Sequence, residues 1–331
     1  MESYRFGTTS VHVTPIGLGL AALGRPGYIN LDHAVDLNQN YSIDAMQEHA
    51  NSVLDQAYQL GVRYFDAARS YGLAERFLGS WLDSRGILPQ NVTVGSKWGY
   101  TYTADWQVEA EKHEVKEHTR EVLRRQWVES LNELDEYLDL YQIHSATFES
   151  GVLENQEVLD ELSKIKHNGT LIGLTVSGPQ QAEVIERALK IKLDGLLLFD
   201  SIQATWNLLE KSSGKALENA HQAGLGVIIK EALANGRLTE RNHDPKFAGN
   251  IEILQNHAKR LNTTIDALAL ASVLEQPWVD VVLSGAATID HIRSNVKALE
   301  LTLDVEAESE LRKLTEPPDV YWEKRGKLSW N

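Results

Sequence analysis

The segment GVRYFDAARSYGLAERFLG, from Gly61 to Gly79, decides how this chain is read. A short apolar run from Val62 to Phe65 follows a glycine and predicts a buried strand, which Asp66 ends. A turn then holds Tyr71, just before Gly72. From Leu73 to Leu82, apolar residues at Leu73, Phe77, Leu78 and Trp81 recur at helical spacing. The pattern places a carboxylate and a phenol together at the carboxyl end of one strand, where α/β proteins build their sites.

The strand–helix alternation continues outward from this segment. Upstream, Tyr4–Phe6 and Val11–Val13 flank a polar turn and predict a small hairpin. Ile16–Leu20 is the first barrel strand, and its glycines suit close backbone approach to a ligand. Residues 24–42 form a loop rich in Gly, Asn and Asp, longer than the usual connection, in which tyrosines and His33 either line a pocket or make a surface excursion. Ser42 or Asp44 caps a helix running to about Leu60. Downstream, strands are expected at Val92–Lys97, Leu138–His144, Leu171–Val176, Gly195–Phe199, Gly224–Lys230 and Val279–Leu283. Helices are expected at Glu114–Leu134, Val152–Ile165, Gln180–Leu189, Ala216–Ala223, roughly 250–275, and Ile289–Leu299. The aromatic, charge-poor loop Trp98–Trp106 is a candidate pocket wall. The tail, 304–331, carries Pro317, Pro318, Tyr321, Trp322 and Trp330.

Eight short apolar strands without polar alternation, separated by helices, predict an α/β fold: a closed (β/α)8 TIM barrel with a short N-terminal β-hairpin and its active site at the C-terminal face of the strands. With no linker or short repeat in view, residues 1–331 read as one domain. Periodicity alone also allows a doubly wound open sheet, but no GxGxxG lies between a strand and a helix.

Composition narrows the function classes. Lys and Arg total 32 against 47 Asp and Glu, a net charge of −15, so the chain repels phosphate backbones and is not expected to bind nucleic acid. With no cysteine there is no disulfide, no thiolate nucleophile and no Cys-ligated metal. No apolar signal-peptide core and no membrane-spanning apolar run occur in the sequence, which predicts a cytoplasmic protein without a membrane partner.

Asp66 and Tyr71, five apart in FDAARSYG, resemble the Asp–Tyr signature of the aldo-keto reductases. The family's other two catalytic residues follow at the ends of the next two strands, and here VTVGSK ends on Lys97 and LDLYQIH on His144. Taken alone, a strand-end Asp is most often a helix cap, a buried Tyr packing, a loop Lys solvated, and a His a local hydrogen-bonder. Their joint order and placement carry the resemblance.

The resemblance implies an NADP(H)-dependent oxidoreductase that reduces an aldehyde or ketone, or runs the reverse reaction, with NAD(H) as a second cofactor. Tyr71 would give the proton, His144 would position the carbonyl oxygen, and Asp66 would hold Lys97. A phenol titrates near pH 10, and the Lys97 ammonium is expected to lower that value. Gly19 and Leu20 match the Gly-rich strand end beneath the cofactor. Ser177, in GLTVS, and Gln203, in QATWNLL, match the nicotinamide carboxamide contacts; the family usually has Asn after the Ser, and this chain has Gly178. Lys230 stands where an aromatic residue often stacks on the nicotinamide. Leu233 and Gly236 fall in the pyrophosphate loop. Gly285, Ala286, Ala287, His291 and Asn295 match the loop and helix around the adenosine phosphate. Because Ala287 stands where a basic residue is common, and His291 where an Arg or Gln is, the resemblance implies only a modest preference for NADPH. Two rival readings are a nicotinamide-binding regulatory or redox-sensing subunit of the same fold, and a metal-dependent barrel hydrolase using Asp66 and His144. The second lacks any HxH or clustered ligand spacing, so no metal is expected. The expected partner is a small carbonyl or alcohol substrate; the sequence sets no oligomeric state.

Overall fold

Eight parallel strands pair in chain order and close into a barrel in the computed structural model, which describes residues 1–193 and 195–331. They are β1 (Ile16–Gly19), β2 (Tyr64–Asp66), β3 (Thr93–Trp98), β4 (Leu138–Ala146), β5 (Leu171–Val176), β6 (Ser201–Thr205), β7 (Gly226–Lys230) and β8 (Val281–Ser284). Register places Gly19 beside Asp66, Asp66 beside Gly95, Lys97 beside Gln142, Thr175 beside Gln203 and Thr205 beside Lys230. The chemistry-bearing residues thus share one rim, at the carboxyl ends of the strands.

Apolar side chains fill both faces of the strands, as a parallel sheet covered by helices requires. Inside the barrel, Tyr64, Leu140, Ile228 and Val281 pack with Phe6 and Val13 of an N-terminal hairpin formed by Tyr4–Arg5 and His12–Val13. Gly226 admits the Phe6 ring, which a Cβ at that position would meet at 2.2 Å. The larger core lies between the strands and the surrounding helices. The helix Ile43–Gln59 buries Met46, Ala50, Val53, Leu54 and Ala57 along one face. Of the two caps the sequence offers it, Ser42 serves, its hydroxyl accepting from Ala45 N at 3.3 Å. No helix of the described residues is long and apolar enough to cross a membrane.

The structure corrects several sequence expectations. The sixth barrel strand is Ser201–Thr205 and not Gly195–Phe199. An apolar-run template selects the leucines, yet Leu196 is 75% exposed, in a two-residue ribbon with Lys192–Leu193. The true strand buries polar Ser201, Gln203 and Thr205 instead. The aromatic loop after β3 is in part an antiparallel ribbon, Tyr100–Tyr102 against Glu114–Lys116, so the following helix starts at Arg120 rather than Glu114. Thr119 fixes that start, accepting from Val122 N at 3.3 Å. The helix expected from Val152 is a 3-10 turn to Glu154 followed by the helix Gln156–His167, which Asn155 caps. Within 24–42, a short helical turn, His33–Asp36, interrupts the loop.

The tail forms two helices, Val305–Arg312 and Pro318–Gly326, and Tyr321 and Leu311 pack into a second apolar cluster with Leu208, Leu209 and Phe247. Beyond them, Asn331 and Tyr28 exchange backbone hydrogen bonds of 3.1 Å in each direction, tying the tail to the 24–42 loop.

Candidate active site

Asp66 closes β2 as the acceptor at the centre of a buried polar knot: Lys97 Nζ donates to its Oδ2, while Tyr64 Oη, Gln142 Nε2 and Gln203 Nε2 each donate to its Oδ1 at 3.2 Å. Lys97 offsets its charge there, and the two side chains are 0% and 2% exposed. Lys97 Nζ also donates to the Ala67 carbonyl at 2.8 Å and lies over the Tyr71 ring, 4.7 Å from its centroid. A buried ion pair holds when its remaining donors and acceptors are satisfied, and here the neighbouring amides and carbonyl do that.

His144 sits where β4 departs from regular pairing. The register shifts between Ile143 and Ala146, and Ser145 adopts φ 53°, a bulge of the kind that re-aims a side chain. Ser145 N then donates to Thr175 Oγ1 at 2.7 Å. The His144 ring meets Tyr71 edge to face at 5.5 Å and Tyr100 at 4.9 Å. The Ser70 hydroxyl lies 3.4 Å from Nδ1, and the tautomer in which it donates there leaves the imidazole proton on Nε2. Burial, then the charges of Lys97 and Lys230, hold His144 well below the usual histidine range, so it is neutral at pH 7.

Tyr71 overturns one expectation. Burial, and next the Asp66 charge, push its phenol up rather than down, while Arg25 pulls the other way. Lys97 Nζ lies over the ring and gives its hydrogen bonds to Asp66 and the Ala67 carbonyl. Tyr71 therefore keeps its proton across the neutral range.

Asp66, Tyr71 and His144 open together on a cavity of about 920 Å³. Gly19, Ser177, Gln203, Lys230, Leu233, Gly236, Gly285, Ala286, His291 and Asn295 also line it. Three of the sequence-selected residues stand behind its wall: Lys97, Leu20 and Ala287, which are 1%, 0% and 1% exposed. Leu20 contributes through its backbone, N–H donating to the Asp66 carbonyl at 2.9 Å. Lys230 Nζ donates to Thr205 Oγ1 at 2.9 Å and Ser177 Oγ at 3.3 Å, and burial brings its ammonium down to about 8. Asn235 has an unpartnered buried carboxamide oxygen, and Glu231, Ala234, Asn235 and Gly236 all take positive φ, curving the backbone around the cavity. At Gly178 and Gly285 a Cβ would meet nothing within 4 Å, so backbone is open there.

Tyr28 of the 24–42 loop and Tyr100 of the aromatic loop line the cavity, as their loops suggested, while Arg25, Glu114, Glu231, Arg241, Trp322, Arg325 and Trp330 also line it and were not singled out from the sequence. Arg25 lies among rings, 4.7 Å from the Trp330 centroid and 5.2 Å from those of Tyr28 and Tyr71, and donates to Ser70 O at 2.9 Å and Glu114 at 3.0 Å. Trp330 stacks on His113 at 3.9 Å. Arg241 pairs with Asp36 beside His291. The unmarked residues come from connections and the tail, where no periodicity singles them out; the aromatic content of the 98–106 loop and of the tail is the signal that pointed their way.

A family model described as the aldo/keto reductase family matches residues 15–316. The chain is 23% identical to the uncharacterized oxidoreductase YqkF of Bacillus subtilis, over 97% of this chain and 98% of that one. It is 24% identical to the NADH-specific methylglyoxal reductase of Escherichia coli, over 96% and 99%. Its fold is similar to that of an aldo-keto reductase from Bacillus halodurans in its holo form, with TM-score 0.73 and 23% identity over 96% of this chain and 97% of that one.

Proposed function

The chain belongs to the aldo/keto reductase family and is an oxidoreductase of carbonyl groups, and on that premise we propose that Tyr71, Lys97, Asp66 and His144 carry its chemistry with NADP(H), and with NAD(H) as a second cofactor. The observation that carries the reading is the convergence of Asp66, Tyr71 and His144 on one cavity, with Lys97 buried behind its wall and paired to Asp66.

The cavity suits a dinucleotide, a nicotinamide cofactor being what the family uses. Ser177 and the free carboxamide oxygen of Gln203 would hold the nicotinamide amide. The curved 231–236 backbone and Lys230 would meet the pyrophosphate. Ser284, Asn295 and the N-terminal turn of the helix Ile289–Val296 would meet the adenosine end. When bound, the cofactor supplies the hydride to the carbonyl carbon.

The protein's own part is the oxygen. A carbonyl oxygen between Tyr71 Oη and His144 Nε2 receives two hydrogen bonds, which favour the negative charge that grows on it. His144, held neutral, donates without transferring a proton. Tyr71, held protonated, completes the alcohol by giving its proton to that oxygen. Asp66 fixes Lys97 under the Tyr71 ring, where the ammonium stabilises the phenolate left behind. In the oxidative direction the same groups take the proton back.

Within the same proposal, residues 1–331 act as one domain in the cytoplasm on a small carbonyl or alcohol substrate, and the acidic chain, at −15, has no nucleic-acid or membrane partner. The test is absorbance-monitored oxidation of NADPH and NADH against aldoses, aliphatic and aromatic aldehydes, and ketones. Turnover of at least one class supports the reading. Tight cofactor binding with no turnover on any class would favour a sensor.

A further inference from the structure

Arg241 is the one guanidinium among the residues that line the cavity around His291 and Asn295, and it is almost fully occupied. Its Nη1 donates to Asp36 Oδ2 at 2.8 Å and to the Leu31 carbonyl at 3.2 Å. Its Nη2 donates to Asp36 Oδ1 at 2.5 Å and meets His291 Nε2 at 2.9 Å. Four of the five N–H bonds a guanidinium offers are thus engaged, and its charge is matched by a carboxylate 4% exposed. Asp266 adds a second carboxylate to the same wall, accepting from Asn295 Nδ2 at 2.8 Å.

The two nicotinamide cofactors differ here by a phosphate on the adenosine ribose. A phosphate gains most from a guanidinium with two parallel N–H bonds to give. A ribose hydroxyl needs only a single acceptor, and a carboxylate is a good one. In this structure the bidentate face of Arg241 is already turned to Asp36.

We infer that Asp36 sets the cofactor choice by holding Arg241 in a neutralised pair, so that the protein binds NADH and NADPH with similar affinity. The inference rests on the proposal that the cavity takes a nicotinamide dinucleotide. Asp36→Asn keeps one acceptor for Arg241 but removes the charge and frees an N–H. A cation released toward the ribose phosphate favours NADPH, and the change expected is about tenfold.

Quenching of intrinsic tryptophan fluorescence gives Kd for both cofactors in the wild type, Asp36→Asn, Arg241→Gln and the double variant, without any substrate. The wild-type values are expected within about tenfold of each other. The ratio Kd(NADH)/Kd(NADPH) should rise about tenfold in Asp36→Asn, fall about tenfold in Arg241→Gln, where an unmatched carboxylate faces the phosphate, and return toward wild type in the double variant. If both cofactors bind but the ratio does not move in either single variant, or moves the other way, Asp36 does not set the choice. If the wild type binds neither, the dinucleotide reading itself fails.

Discussion

The Lys97 ammonium lies over the face of the Tyr71 ring, 4.7 Å from its centroid, while its hydrogen bonds go to Asp66 and the Ala67 carbonyl. The lysine is therefore spent first on holding a buried carboxylate.

Removing Lys97 should cost the fold before it costs the chemistry. Lys97→Met strands Asp66 as an unmatched buried charge, and breaking such a pair typically costs about 3–5 kcal/mol. The double variant Asp66→Asn/Lys97→Met should recover most of that. Urea unfolding of the three proteins checks it; equal stability of the single and double variants would mean that Asp66 does not depend on Lys97.

Acid should destabilise the protein through buried histidines, with His33 and His118 adding to His144 of the site. His33 is 0% exposed with both ring nitrogens unpartnered, and His118 is 8% exposed; burial brings each down to about 4. Both bind fewer protons folded than unfolded. The stability held by keeping them neutral is intact above the unfolded value near 6.5 and is lost as pH falls from there through about 4, at up to about 3 kcal/mol for each. His118→Gln should make this fall measurably shallower. Chemical unfolding at pH 7 and pH 4.5 measures it, and identical pH slopes in wild type and variant would contradict it.

How much was legible beforehand follows from where each signal lives. β2 and its turn were readable because an apolar run, a carboxylate and a helical period follow one another within 61–79. β6 was not, because its buried residues are Ser201, Gln203 and Thr205, while the neighbouring leucines imitate a strand. Asp66, Tyr71, Lys97 and His144 lie near the carboxyl ends of β2, β3 and β4 and in the turn after β2, as strand order placed them. The direction of the Tyr71 shift did not follow, since it depends on burial and next on the Asp66 charge, and the extent of burial is not written in spacing. Arg241 and Trp330 reach the cavity from a polar connection and from the tail, so only folded geometry brings them in.

Lys230 should make cofactor affinity depend on alkaline pH. Its ammonium, brought down to about 8 by burial, is charged below that pH and neutral above it. Affinity for the anionic dinucleotide should therefore fall as pH rises through about 8. Lys230→Ala should weaken binding by roughly 1–2 kcal/mol at pH 7, the worth of a charge-assisted hydrogen bond, and remove the pH dependence. Fluorescence titration from pH 6.5 to pH 9.5 decides it; a variant with wild-type affinity would place Lys230 outside the contact.

Trp330 should act on the substrate and not the cofactor. It stacks on His113 and covers Arg25 at the cavity wall, beside Tyr28 and Tyr71. Trp330→Ala is expected to raise KM for the best carbonyl substrate by about tenfold, consistent with an aromatic contact worth roughly 0.5–1.5 kcal/mol plus its buried area, with cofactor Kd unchanged. Steady-state kinetics alongside the cofactor titration separates the two.

The most direct test of the account is Tyr71→Phe, which deletes one oxygen and leaves the ring under which Lys97 is held. Single-turnover reduction of the best carbonyl substrate should slow by about 10²–10⁴-fold, the usual worth of a general acid. Thermal unfolding and both cofactor affinities should match wild type. Reduction at near wild-type rate in this variant would show that the proton comes from another group and that the mechanism built on Tyr71 is wrong.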